Sequence, residues 1–368
     1  MVAVVHLPVH AVQQRLAGDP DRYVFEFNHV HPATLVALGS SAMRHLTDGL
    51  RFAVGTLSVF PVRVERVDRQ VAGQAMTLAP VIGLALGAVA GLPLLLPVHP
   101  LLGAALAVGL LALLTRGLHL DGLADLADGL GSGKPADQAL SIMKKSDIGP
   151  FGVMTLLLVL LAEVAALAGT GAGYAALVTA CVAGRLALTW ACRPRVPAAR
   201  PEGLGAAVAG SVRPAAPWLV TLAALLAFAG LGLSVDAGTW GGAPRTWASA
   251  VAGWLTGADE RAPEPGLSYK GLGDYAESFK EPGSVLERLL SDRAMSSNGI
   301  ITADEAVGYG LGLPALLALP IALLAGLLAA LALLRRARRR LGGITGDVLG
   351  ALVETAAAAT LVAYAVMG

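Results

Sequence analysis

The chain has 368 residues, of which 55% are hydrophobic and only 14% charged, with a mean hydropathy of +0.66. That balance excludes a string of soluble domains and points to a polytopic membrane protein, all-α in class. The net charge of +1 is uninformative in such a chain, no nucleic-acid partner is expected, and the two cysteines, Cys181 and Cys192, suggest neither a disulfide framework nor a thiolate metal site.

Residues 1–46 read as a more polar extension with no assigned function. "MVAVVHLPVH" has no basic n-region, and His6 and Pro8 break its apolar run, so it is not a convincing signal peptide. Met43 offers an internal start just ahead of the membrane part, which runs over 47–235 and resumes over 307–368. The piece "LRFAVGTLSVFPV" (Leu50 to Val62) has 11 residues between Arg51 and Arg63. That is too few to span, and it predicts an interfacial or re-entrant helix.

Gln70 to Thr115 contains no Asp, Glu, Lys or Arg over 46 residues, enough for two spans with a turn at Gly91 to Pro100. Further apolar blocks at Phe151–Ala168, Tyr174–Ala191, Pro217–Val235, Val307–Leu334 and Val348–Met367 bring the expectation to about seven spans. Arg63, Arg66 and Arg69, then Lys144 and Lys145, then Arg193, Arg195 and Arg200, then "RRARRR" (Arg335 to Arg340) all fall on one face, which the positive-inside rule makes cytoplasmic. Residues 236–306 break the pattern with Pro, Gly and mixed charge and read as a soluble insertion. Within it, Ser284 precedes Glu287 at capping-box spacing and predicts a short helix over Ser284–Asp292.

The chemistry concentrates in an acidic loop, 116–150, that opens "HLDGLADLADGLGSGK". As a helix, Asp121, Asp125 and Asp128 share one face within roughly a 60° arc. Three carboxylates so close repel one another unless a cation neutralises them, and such oxygen-rich clusters suit Mg²⁺ or Mn²⁺ bound together with substrate phosphates. The competing reading is a solvated acidic loop. His119 sits about 160° away on the same helix and is a candidate base only from a non-helical segment. A P-loop is excluded, because Asp128 and Pro135 stand where Gly and Ser or Thr are needed, and an EF-hand fails on spacing.

Downstream, "MKKSDIGPFG" offers Lys144, Lys145 and backbone amides to a phosphate, or simply anchors the next span. "RRRLGGITGDVLGALVET" carries Asp347 and, two turns on, Glu354; with Arg185 they are charges at or inside spans, expensive and therefore functional candidates.

The segments "LRFAVGTLSVFPV", "APVIGLALG", "GLHLDGLADLADGLGSG", "KSDIGPFG", "ARPEGLG" and "LGGITGDVLGALVE", in this order, resemble the cobalamin synthase family, the adenosylcobinamide-GDP ribazoletransferases. The likeness covers Thr47 to Val235 and Val307 onward, not the extension or the insertion. It implies an integral enzyme of a bacterial cell membrane, Mg²⁺-dependent, with its active site facing the cytoplasm. Its substrates would be adenosylcobinamide-GDP and α-ribazole or its 5′-phosphate, and its products adenosylcobalamin or its 5′-phosphate, and GMP.

Carried onto this chain, the resemblance implies Asp121, Asp125 and Asp128 as Mg²⁺ ligands with Asp347 as a further ligand, His119 as the general base, and Asp121 as a catalytic residue too. Arg185, Lys144, Lys145 and Arg193 become phosphate contacts. Members often read "KDSRIG" where this chain reads "KKSDIG", so Asp147 joins the metal candidates in place of a carboxylate at Lys145. A homo-oligomer is compatible with all of this.

Other readings compete. A CDP-alcohol phosphotransferase needs D-G-x-x-A-R, and no Arg follows the alanine of "DGLADLADG". An aspartate-rich prenyltransferase needs more than one D-x-x-x-D cluster. A cation-coupled transporter predicts carboxylates at the bilayer midplane, whereas these lie at span ends.

Overall fold

The computed structural model describes residues 12–15, 23–26, 46–64, 68–145, 147–237 and 313–367. The short helix expected at Ser284–Asp292 lies outside the described residues. In chain order the described helices are α1 (46–57), α2 (Arg69–Ala90), α3 (Pro100–Leu114), α4 (Leu118–Gly131), α5 (Ala136–Ile142), α6 (Pro150–Ala168), α7 (Gly173–Ala191), α8 (Leu204–Val208), α9 (Ala216–Asp236), α10 (Ala315–Leu341) and α11 (Gly346–Met367). The extension contributes an antiparallel pair of strands, β1 (Val12–Arg15) and β2 (Tyr23–Glu26), that the sequence reading did not foresee.

Among the described residues six helices, α2, α6, α7, α9, α10 and α11, are long and apolar enough to cross a membrane, and α3 with α4 passes the same test as a pair bent by 89°. The expected spans therefore stand, with three refinements. The 11 residues between Arg51 and Arg63 do start as a helix, α1, and bury Phe52, Ala53 and Leu57 against the bundle. The arginine run does not follow the sixth span as a loop, because α10 continues helically through Arg340. The acidic loop is largely a helix of its own: α3 stops where Arg116 and Gly117 take left-handed backbone (φ 55° and 65°), which turns the chain into α4.

Helix α7 is the centre of the bundle. All of it from Ala175 to Ala191 is buried, and it packs against α2, α10 and α11. Small residues set these distances: a Cβ on Gly184 would lie 2.8 Å from the Val353 carbonyl oxygen of α11, so the two backbones touch. In lipid such close packing replaces the hydrophobic force that holds soluble helices together. Leu157, Leu158 and Leu161 of α6 and Leu219, Leu222 and Leu226 of α9 stay exposed, as lipid-facing residues do.

Two carboxylates each cap a later helix. Asp236, ending α9, accepts from the amides of Ala315 (2.8 Å) and Leu316 (2.9 Å), satisfying orphan donors at the start of α10. Asp128 does the same for α6 at the other end of the bundle. That end gathers the loops with charge. Arg69 donates to the Gly210 carbonyl, Arg338 to that of Arg195, Arg340 to that of Lys134 and Arg200 to that of Leu140.

Candidate active site

Helix α4 packs antiparallel to the start of α11, with the His119 backbone against Gly350 and Gly122 against Asp347. A Cβ on Gly122 would lie 2.7 Å from the Asp347 carbonyl oxygen. The glycine after Asp121 therefore lets two acidic helix segments, remote in sequence, share one spot. A parallel bridge between Ala198 and Ile344, with Ala199 N–H to Ile344 C=O at 2.9 Å and Ile344 N–H to Pro197 C=O at 3.0 Å, adds the segment that ends in Arg200.

The result is a mixed cluster. Asp121 is exposed, Asp125 and Asp347 half-buried, and Arg200 lies 3.8 Å from the Asp347 carboxylate. Thr345 donates to that carboxylate at 3.2 Å and takes the Val348 amide with the same hydroxyl oxygen, so Asp347 is held at the first turn of α11. Burial, then Asp121, Asp347 and Asp128, push the Asp125 carboxyl up to about 6 against the opposing pull of Arg200. Arg200 was named from sequence only as a topology marker. Its signal was its place in "ARPEGLG", but nothing in the spacing could show that it meets Asp347.

Asp128, expected as a metal ligand, has backbone partners. It shares the helix face, yet it is buried and accepts from the amides of Gly149 (2.7 Å) and Gly152 (2.9 Å), one on each oxygen. A Cβ at Gly152 would stand 2.6 Å from the carboxylate, which is why "GPFG" needs that glycine. The carboxylate is thus committed to the N-terminus of α6, where the helix dipole favours it.

His119 and Arg185 lie apart from the cluster and together. Both are buried, with a guanidinium nitrogen 3.5 Å from His119 Nδ1, while His119 Nε2 and Arg185 Nε have no partner among the described residues. His119 lines a cavity of about 20 Å³ with Thr56, Met76, Leu188 and Leu349. Arg185, only 1% exposed, faces the buried Glu354 of α11 electrostatically and is a bundle residue rather than a surface phosphate contact.

Lys144, Lys145 and Asp147 are exposed in the α5–α6 connection, and none forms an ion pair among the described residues. Arg193 stacks over Trp190 at 5.2 Å; burial, then Arg338 and Arg335, lower its pKa. Among the described residues none of the four forms an ion pair with the carboxylates.

Among the described residues, no three of the His, Cys, Asp and Glu side chains converge closely enough to hold an ion by themselves. Asp125 with Asp121 and Asp347, whose charges push its pKa up, still suits a hard divalent cation that takes its remaining oxygens from a phosphate substrate.

The chain matches the cobalamin-5-phosphate synthase family over residues 49–258 and 280–365. It belongs to that family. The match reaches into both ends of the 236–306 segment, which the motif resemblance had left out entirely. Family relatives include the adenosylcobinamide-GDP ribazoletransferases of Frankia casuarinae, 37% identical over 86% of this chain and 93% of the relative, and of a Nocardioides species, 33% identical over 87% and 99%. That of Corynebacterium efficiens is 37% identical over 48% of this chain and 68% of the relative. No solved structure matches the chain.

Proposed function

We propose that this protein joins adenosylcobinamide-GDP to α-ribazole or its 5′-phosphate. An oxygen of the ribose attacks the cobinamide-side phosphorus, the bond from that phosphorus to the bridging oxygen breaks, and GMP leaves. The observation that carries this reading is the meeting of Asp121 and Asp125 of α4 with Asp347 of α11 beside Arg200, in a chain of this family.

Asp125 and Asp347 are the residues placed to hold Mg²⁺, with Asp121 able to join them. The ion, when bound, neutralises phosphate oxygens and the leaving GMP. Asp121, the most exposed of the cluster, is placed to take the proton from the attacking hydroxyl, a role its position suits better than that of buried His119. Arg200 holds Asp347 in place and can offer its guanidinium to a phosphate oxygen of the substrate. Lys144 and Lys145, exposed on the adjoining connection, are placed to draw in the polyphosphate. The run of basic loops at this end of the bundle supports a cytoplasmic site.

The test is reconstitution of the full chain with adenosylcobinamide-GDP, α-ribazole 5′-phosphate and Mg²⁺, following GMP release and the joined corrinoid. No product with any divalent metal would overturn the reading.

A further inference from the structure

A polar cavity with no carboxylate in its lining opens at the same end of the bundle. It measures about 580 Å³ and is bounded by the start of α2, residues 194–198, the end of α8 and the last turns of α10. Three arginines line it: Arg69, Arg195 and Arg338, from segments far apart in sequence. The positive-inside rule explains why arginines are abundant at this end. It does not explain why three of them converge on one cavity.

Their tethers are also informative. Arg69 Nη2 donates to the Gly210 carbonyl at 3.1 Å, and Arg338 Nη2 to the Arg195 carbonyl at 3.1 Å, where Arg195 itself holds left-handed backbone (φ 70°). Backbone carbonyls fix a guanidinium without cancelling its charge. The ion pairs among the described residues are Arg51 with Asp48 and Arg200 with Asp347, and neither reaches this cavity. The nearest carboxylate in sequence, Asp68, accepts from the Gln70 and Val71 amides at the start of α2. Arg193 and Arg335 add further positive charge beside Arg338. Two of the three guanidiniums are thus held by neutral carbonyls rather than by carboxylates, which leaves their charge available to an anion.

We propose that the Arg69–Arg195–Arg338 cavity is a binding site for a phosphate-bearing anion, separate from the carboxylate cluster. Guanidinium forks match phosphate oxygens in pairs, and the cavity is large enough for a phosphorylated head group. Two sources offer that chemistry, the phosphate of a soluble substrate and the head group of an anionic phospholipid at the membrane surface. Ala198, which lines this cavity, is two residues from Arg200, so an anion seated here would bear on the segment that positions the carboxylate cluster. The assignment does not rest on the transferase reading, and its test needs no turnover.

The full-length protein, purified in neutral detergent with chelator present, is titrated with inorganic pyrophosphate by calorimetry. In parallel, nanodiscs of phosphatidylcholine with and without phosphatidylglycerol are compared for retained lipid by native mass spectrometry. In Arg195→Ala/Arg338→Ala, affinity is expected to fall about tenfold or more in one arm. Loss confined to the pyrophosphate arm identifies a soluble phosphate, and loss confined to the phosphatidylglycerol arm identifies a lipid. Arg195→Lys/Arg338→Lys should recover part of the loss, since charge remains but the fork does not. Should the double variant fail to fold, exposed Arg195→Gln carries the same comparison. Wild-type binding in both arms by a folded variant, or no binding by the wild type in either, overturns the proposal.

Discussion

Arg200 reaches across from the 192–203 connection to lie 3.8 Å from the Asp347 carboxylate, and its charge also opposes the rise of the Asp125 pKa. One guanidinium thus steadies two carboxylates that come from different helices. Arg200→Ala should lower transferase kcat/KM by roughly 10–100-fold, as loss of a residue that orients a metal ligand does. With its opposing charge gone, Asp125 titrates higher than about 6, so the acid limb of the pH profile moves to higher pH. Unchanged kcat/KM and an unmoved limb would remove Arg200 from the site.

Asp125 makes the opposite prediction for stability. Its folded pKa is raised from 3.8 to about 6, so its contribution to stability is complete below the ordinary carboxylate range and is lost as pH rises through about 6. In chelator at neutral pH, Asp125→Asn should therefore be more stable than wild type, by no more than about 1 kcal/mol once solvent screening of this half-buried group is allowed for. The gain should vanish in acid. The same variant should lose turnover, and thermal unfolding paired with a GMP-release assay checks both.

Asp128 is expected to behave as a helix cap. Asp128→Ala leaves the Gly149 and Gly152 amides without their acceptor and should cost about 1–3 kcal/mol, read as a lower unfolding temperature. Asp128→Asn keeps one acceptor oxygen and should fall between. The folded fraction of each should need no more Mg²⁺ than wild type for half-maximal activity; a large increase would make Asp128 a ligand as well.

Gly122 tests the contact that assembles the cluster. Gly122→Ala drives a Cβ to 2.7 Å from the Asp347 carbonyl oxygen, which is backbone and cannot swing aside. A cost of about 1–3 kcal/mol and a marked loss of activity are expected. Gly109→Ala in α3 is the control, since its Cβ would meet nothing within 4 Å, and helix propensity should make it neutral or slightly stabilising.

Arg185 and Glu354 form the last test. Arg185→Met leaves buried Glu354 without its facing cation, and folded protein should be scarce. Adding Glu354→Gln should restore much of the yield. Good yield with ordinary stability from Arg185→Met alone would show that the pair is not coupled.

The number of spans and the acidic helix face were legible because each depends on local pattern: about 20 apolar residues cross a bilayer, and carboxylates at i and i+4 share a helix face whatever surrounds them. The 89° bend was not legible, since Arg116 in left-handed backbone carries no strong sequence mark. The roles within the face were not legible either. Asp121, Asp125 and Asp128 read alike in the chain, and only the docking of α6 gives Asp128 to the amides of Gly149 and Gly152.

By itself the sequence determined that this protein lives in a membrane, that its acidic chemistry sits at span ends, and which family it resembles. Burial and partnership were decided by the tertiary structure. It took His119 and Arg185 into the bundle, and it brought Asp347 and Arg200 to the α4 aspartates through the Gly122 contact and the Ala198–Ile344 bridge. The reason is physical: periodicity fixes which side of a helix a residue occupies, but only the packing of other helices fixes what that side faces.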